Sequence, residues 1–171
     1  MRLFLNICGV LAVQLLMPFA ATTQEVTAPA LKALFIYNFV KFTEWPVALP
    51  ASEPFVICVT GDAAVRDALE RTVKGREFSG RPLVALTAAA APKGACRVLY
   101  LSGASVGEAA QAIAGLQDSP VLTLSDIPGF CDTGGMAQFF LERGRLRFSI
   151  KAAAVKRSGL KMSSKHSQAW W

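Results

Sequence analysis

The 171 residues predict an α/β domain with a largely parallel, mixed sheet of about five to six strands, flanked by helices and ending in an antiparallel hairpin. Three observations predict it. Short apolar runs alternate with helix-periodic segments from Phe55 to Leu124, which is the pattern of βαβ units. Arg145 to Lys151 alternates apolar and polar residues, with Leu146, Phe148 and Ile150 on one face and Arg145, Arg147, Ser149 and Lys151 on the other. The two residues Arg143-Gly144 separate that strand from the apolar run Met136 to Leu141, and Gly144 suits the positive φ of a tight hairpin turn.

Taken in order, Met1-Arg2 is a basic start and Leu3 to Met17 is apolar apart from Asn6, Gly9 and Gln14. Small residues at Ala20 and Ala21 follow, so residues 1–21 read as a secretory signal peptide, too short an apolar run to span about 30 Å of hydrocarbon. The mature chain then covers 22–171 as one domain, without repeats or linkers. Ala30 to Phe42 is a helix apolar almost all round, interrupted by Lys32, Asn38 and Lys41. Two readings stand for it: a central core helix, or a face for a second protein chain through Phe35, Phe39 and the following Trp45. Pro46 closes the segment.

Phe55 to Thr60 is a strand, and Asp62 caps a helix from Ala63 to about Val73. Pro82 to Thr87 and Cys96 to Leu101 are the next strands. Ser105 caps a helix from Val106 to Leu116, with Glu108 as its capping-box partner. Val121 to Leu124 is a fourth strand. Ser125 to Gly129 is a turn, and a loop follows at Asp132 to Gly135. Met136 to Leu141, apolar on both faces, suits a strand buried on both sides. Ala152 to Ser158 is a short helix stopped by Gly159.

Ligands of open α/β sheets sit at the carboxyl ends of strands. Here those ends carry Asp62, Ser102 and Asp126, a crest that suits either a small-molecule-binding sensor module or plain helix capping and turn formation. No Gly-x-Gly-x-x-Gly or Walker sequence supports a nucleotide or other cofactor. No metal is expected: there is no Cys-x-x-Cys and the chain has one His, His166, near its end. No nucleophile elbow or carboxylate pair points to an enzyme. Cys131, in a Gly-flanked loop, is the one free-thiol candidate, read either as a redox centre or as a small buried apolar residue.

The formal charge is +6, or about +5 without Arg2. Eight basic residues and no acid lie from Arg143 to the end, which makes a docking face for an acidic protein or membrane surface, or the solvated side of a hairpin and helix. Export makes nucleic acid an unlikely partner and permits disulfides. The mature chain keeps Cys58, Cys96 and Cys131, an odd number.

Four stretches together resemble the YfiR family of periplasmic regulators: Leu31 to Pro46, Gly134-Gly135-Met136, Arg147 to Ile150, and Ser158 to Lys165. The resemblance implies a Rossmann-like fold, a tendency to dimerise and no catalytic activity. It implies that the chain binds the periplasmic sensing domain of an inner-membrane diguanylate cyclase and holds it inactive, and that an outer-membrane lipoprotein can draw it away. Cyclic di-GMP and biofilm would be the outputs, and disulfides would make the protein responsive to redox state. The family has a bridge in the region of Cys58 and Cys96, which sit on the first and third predicted strands, so these two are expected to pair and to leave Cys131 free. The basic face of Arg145, Arg147 and Lys151, and the helix around Phe35, Phe39 and Trp45, are the expected contact surfaces. The sequence departs from the family at Lys151, where Asn is usual, and from His166 to Trp171, where Leu-Leu usually follows Ser-Ser-Lys.

Overall fold

The computed structural model describes residues 28–46 and 53–162. The expected signal segment and the tail from His166 lie outside the described residues. Helix α1 (Ala28–Phe42) runs into the short strand β1 (Thr43–Glu44). Strand β2 (Phe55–Thr60) leads to α2 (Ala63–Val73), then to β3 (Glu77–Phe78) and β4 (Arg81–Thr87). Strand β5 (Cys96–Leu101), α3 (Val106–Ala114) and β6 (Leu122–Ser125) form the next unit. A 3-10 turn at Phe130–Thr133 precedes the hairpin of β7 (Ala137–Glu142) and β8 (Arg145–Ile150). Helix α4 (Ala152–Arg157) and β9 (Lys161–Met162) follow.

Seven strands form one mixed sheet in the order β3-β4-β2-β5-β6-β7-β8. The five inner strands are parallel, and β3 and β8 pair antiparallel at the two edges. The sheet thus has the predicted α/β character, with β3 as an added edge strand. A separate antiparallel pair joins β1 to β9, Thr43 opposite Met162. Two-residue strands carry no periodicity, which is why the sequence does not announce them.

Alternate residues of the strands feed two cores. On one face Phe55, Ile57, Tyr100, Leu122, Leu124 and Phe139 pack against α1, α2 and α4. On the other Val56, Cys58, Leu99 and Leu101 pack against Ile113 of α3 and Phe130 of the 3-10 turn. Both predicted caps are present: the Asp62 carboxylate accepts from Val65 N–H at 3.0 Å, and Ser105 and Glu108 cap each other's backbone. Gly135 is required by Phe130, because a Cβ there would stand 2.2 Å from the buried ring.

The structure corrects one expectation about β7. Only its first half is buried on both sides; Phe140 is 39% and Leu141 72% exposed. The reason is topological: β6 ends at Ser125, opposite Gln138, so among the described residues the second half of β7 has no neighbouring strand on that side.

Candidate functional site

The crest residues converge, and α1 supplies the group that joins them. Lys32 Nζ lies 2.5 Å from Asp126 Oδ2 and 3.9 Å from Asp62 Oδ2, with about four-fifths of each side chain buried. Asp62 sits after β2 and Asp126 after β6, so one ammonium ties α1 to two loops at the carboxyl end of the sheet. Sequence reasoning read Lys32 only as an interruption of an apolar helix. A lone cation on such a face is the signal that could have found it, since a buried charge needs a partner.

Ser102 closes the gap between the loops. Its backbone N–H donates to the Thr60 carbonyl at 3.0 Å. A Cβ on Gly61 would stand 1.7 Å from the Ser102 carbonyl oxygen, so only glycine fits there. Strand order reverses between β2 and β5, the position where open α/β sheets usually leave a crevice. Here the Gly61–Ser102 contact fills it. Beneath lies Tyr100, whose hydroxyl is buried without a well-formed hydrogen bond. Burial, then the adjacent Asp126 charge, push its pKa far above the usual phenol range. Asp126 itself is held below its ordinary value: burial pulls it up, but Lys32, with help from Ser102 and Tyr100, outweighs that. The crest is thus a largely self-satisfied polar cluster. Among the described residues no group of His, Cys, Asp and Glu is placed to hold a metal ion.

The basic face is present on edge strand β8, with Arg145 exposed opposite Glu142. Arg147 is half-buried and lies 3.6 Å from Glu142, and Lys151 lies 3.9 Å from Asp132, so acids from neighbouring elements offset part of the charge. Phe35 and Phe39 are instead spent on the core: both pack edge-on against Phe148, and against Phe139, Phe35 packs edge-on and Phe39 tilted. Trp45 packs edge-on against Phe55 and Phe78, with its indole nitrogen buried. These aromatics shape the surface from below; the large apolar side chain that α1 exposes is Leu34, at 45%.

Cys58 and Cys96 are joined by a disulfide, with Cα atoms 5.7 Å apart. First and third among the strands the sequence predicts, β2 and β5 are neighbours in the sheet, because β4 pairs on the far side of β2. Cys131 is free and half-buried in the 3-10 turn, with Sγ 3.8 Å from Ser149 Oγ. Burial, helped by Asp132, raises its pKa. A redox-active thiol needs the opposite shift, so this counts against a thiol enzyme.

No helix among the described residues is long and apolar enough to cross a membrane. No curated protein matches the chain. The model of one protein family does, over residues 29–165, from the start of α1 through the segment after β9. That span takes in the crest, the disulfide, the Gly135 contact and the basic hairpin together, and the chain therefore belongs to the YfiR/HmsC-like family.

Proposed function

We propose that the protein is a non-enzymatic periplasmic regulator. It binds the periplasmic sensing domain of an inner-membrane diguanylate cyclase and represses it, which lowers cyclic di-GMP signalling and biofilm formation. Family membership over residues 29–165 carries this reading, since YfiR/HmsC-like proteins are in general regulators rather than enzymes. The protein acts as a homodimer, and an outer-membrane lipoprotein competes for it. The Cys58–Cys96 bridge is its redox-sensitive element. The contact surface is the β8 face of Arg145, Arg147 and Lys151, where exposed charge favours an acidic partner surface. The rival reading, a small-molecule sensor using Asp62, Ser102 and Asp126, keeps one support: the buried Tyr100 hydroxyl without a well-formed hydrogen bond.

The test is a pull-down from detergent-solubilised inner membrane with the mature protein and its Arg145→Glu, Arg147→Glu variant. Wild type should retain a membrane diguanylate cyclase, and the variant should bind it about tenfold or more weakly. Equal retention by both removes β8 from the contact surface. Retention of no cyclase by either overturns the repressor reading.

A further inference from the structure

The sheet is split where β6 stops and β7 continues. β6 pairs with β7 only through Leu124–Ala137 and Ser125–Gln138. β7 runs on to Glu142, held there by β8 alone. The hairpin turn places Arg143 at φ 51 and Gly144 at φ 76, the two-residue turn that closes on the pair Glu142–Arg145. In such a ladder alternate residues exchange both backbone bonds with the partner strand. Glu142, Phe140 and Gln138 therefore face β8, in phase with the Lys151 N–H to Met136 carbonyl bond of 2.8 Å. Phe139 and Leu141 turn their backbone groups the other way. Beyond Ser125, the Phe139 carbonyl and both backbone groups of Leu141 meet no strand among the described residues. Among the described residues, no loop backbone bonds to Phe139–Glu142 either.

This unpaired edge borders a groove of about 320 Å³. Consecutive residues from Gln138 to Leu141 line it, as expected where a chain edge forms a wall, and Asp126 and Pro128 of the loop after β6 also contribute. Lys32 and Leu146 complete the lining. Lys32 and Asp126 are already paired with each other, so the groove offers backbone hydrogen bonds and apolar surface rather than an unmatched charge. Leu141, 72% exposed on this edge, is the kind of residue that edge strands normally replace with a charge or proline.

We propose that this groove takes an extended segment of a partner protein, which adds to the inner edge of β7 as a strand where β6 would run if it were longer. The chemistry selects the occupant. Alternating carbonyl and N–H groups are matched by another extended backbone, and the exposed Leu141 beside half-buried Leu146 is matched by apolar side chains on one face of the segment, at every second position. Phe139 to Glu142 spans about 13 Å at roughly 3.3 Å per residue, so about four residues of the segment engage. This site does not depend on the repressor reading, because any partner with such a segment fits it.

The probe is a phage-displayed library of random peptides selected on the mature protein. Enriched peptides should carry apolar residues at alternate positions and should slow hydrogen exchange of the Leu141 amide. Leu141→Pro removes the N–H that faces the groove while leaving the backbone bonds to β8 in place, and should weaken binding about tenfold. Leu141→Ala keeps the N–H and should bind within about threefold of wild type, since one exposed side chain contributes little beside the backbone bonds. Hydrogen exchange on the wild type guards against a misfolded proline variant: in the free protein the Leu141 amide should exchange much faster than that of Phe140. Enrichment of no peptide, or equal binding to Leu141→Pro, overturns the proposal. A slow Leu141 amide in the free protein also overturns it: if independent of protein concentration, the chain's own residues fill the groove, and if concentration-dependent, a second copy does.

Discussion

Lys32 shows how much one residue decides here. Its ammonium holds two carboxylates that belong to the loops after two different strands, β2 and β6, and neither is more than about a fifth exposed. Lys32→Met keeps the aliphatic stem but leaves both acids without their cation, and should cost about 1–3 kcal/mol at neutral pH. The pH dependence has a definite sign. Asp126 is held below its usual value in the folded protein, so its stabilisation is complete above the ordinary carboxylate range of about 4 and disappears as pH falls through its own lower value. Urea midpoints of wild type and Lys32→Met should therefore differ by a constant amount down to about pH 5 and converge in stronger acid. A gap that persists at the lowest pH, or is absent at pH 7, would show that the pair does not stabilise the fold. Gly61 is as strict for another reason: the Ser102 backbone occupies the place of its side chain, and backbone cannot swing aside.

At the scale of elements, the β7–β8 hairpin carries both a cost and an exposed surface. Arg143 is a non-glycine residue at φ 51, in the left-handed region that asparagine and glycine adopt more readily. Arg143→Asn should stabilise the protein by about 0.5–1 kcal/mol, measured as a raised midpoint of unfolding, while leaving Arg145 and Arg147 in place. A lowered midpoint would mean that the arginine side chain makes contacts that outweigh the backbone strain. The hairpin was legible in the sequence because a strict two-residue alternation and a Gly-containing turn are local signals. The exposure of Leu141 was not legible, because it depends on where β6 stops in another part of the chain. Strand β3 and the β1–β9 pair escaped for a related reason: two residues make a strand only when a partner is already in position.

At the scale of the whole molecule, the disulfide joins adjacent parallel strands across 38 residues of sequence, a loop that contains α2, β3 and β4. The loop-entropy model assigns such a closure about 3–4 kcal/mol. Cys58→Ala with Cys96→Ala, or treatment with reductant, should lower the unfolding free energy by that amount. An unchanged urea midpoint under reductant would show that the bond contributes no stability and would leave it a regulatory role only.

The α/β class, the four helices with two of their caps, six of the strands and the resemblance to a regulator family all followed from the chain alone. Each rests on local chemistry: the period of apolar residues, the side chains that cap helix ends, and the glycine that admits a turn. The tertiary structure decided the rest. It placed β2 beside β5, so that Cys58 meets Cys96. It spent Phe35 and Phe39 on the core and brought Lys32 to Asp62 and Asp126 across 30 and 94 residues of sequence. It also ended β6 early and left an edge of β7 without a partner strand among the described residues. These are contacts between residues distant in sequence, and strand order and strand length, which no local period encodes, determine which of them form.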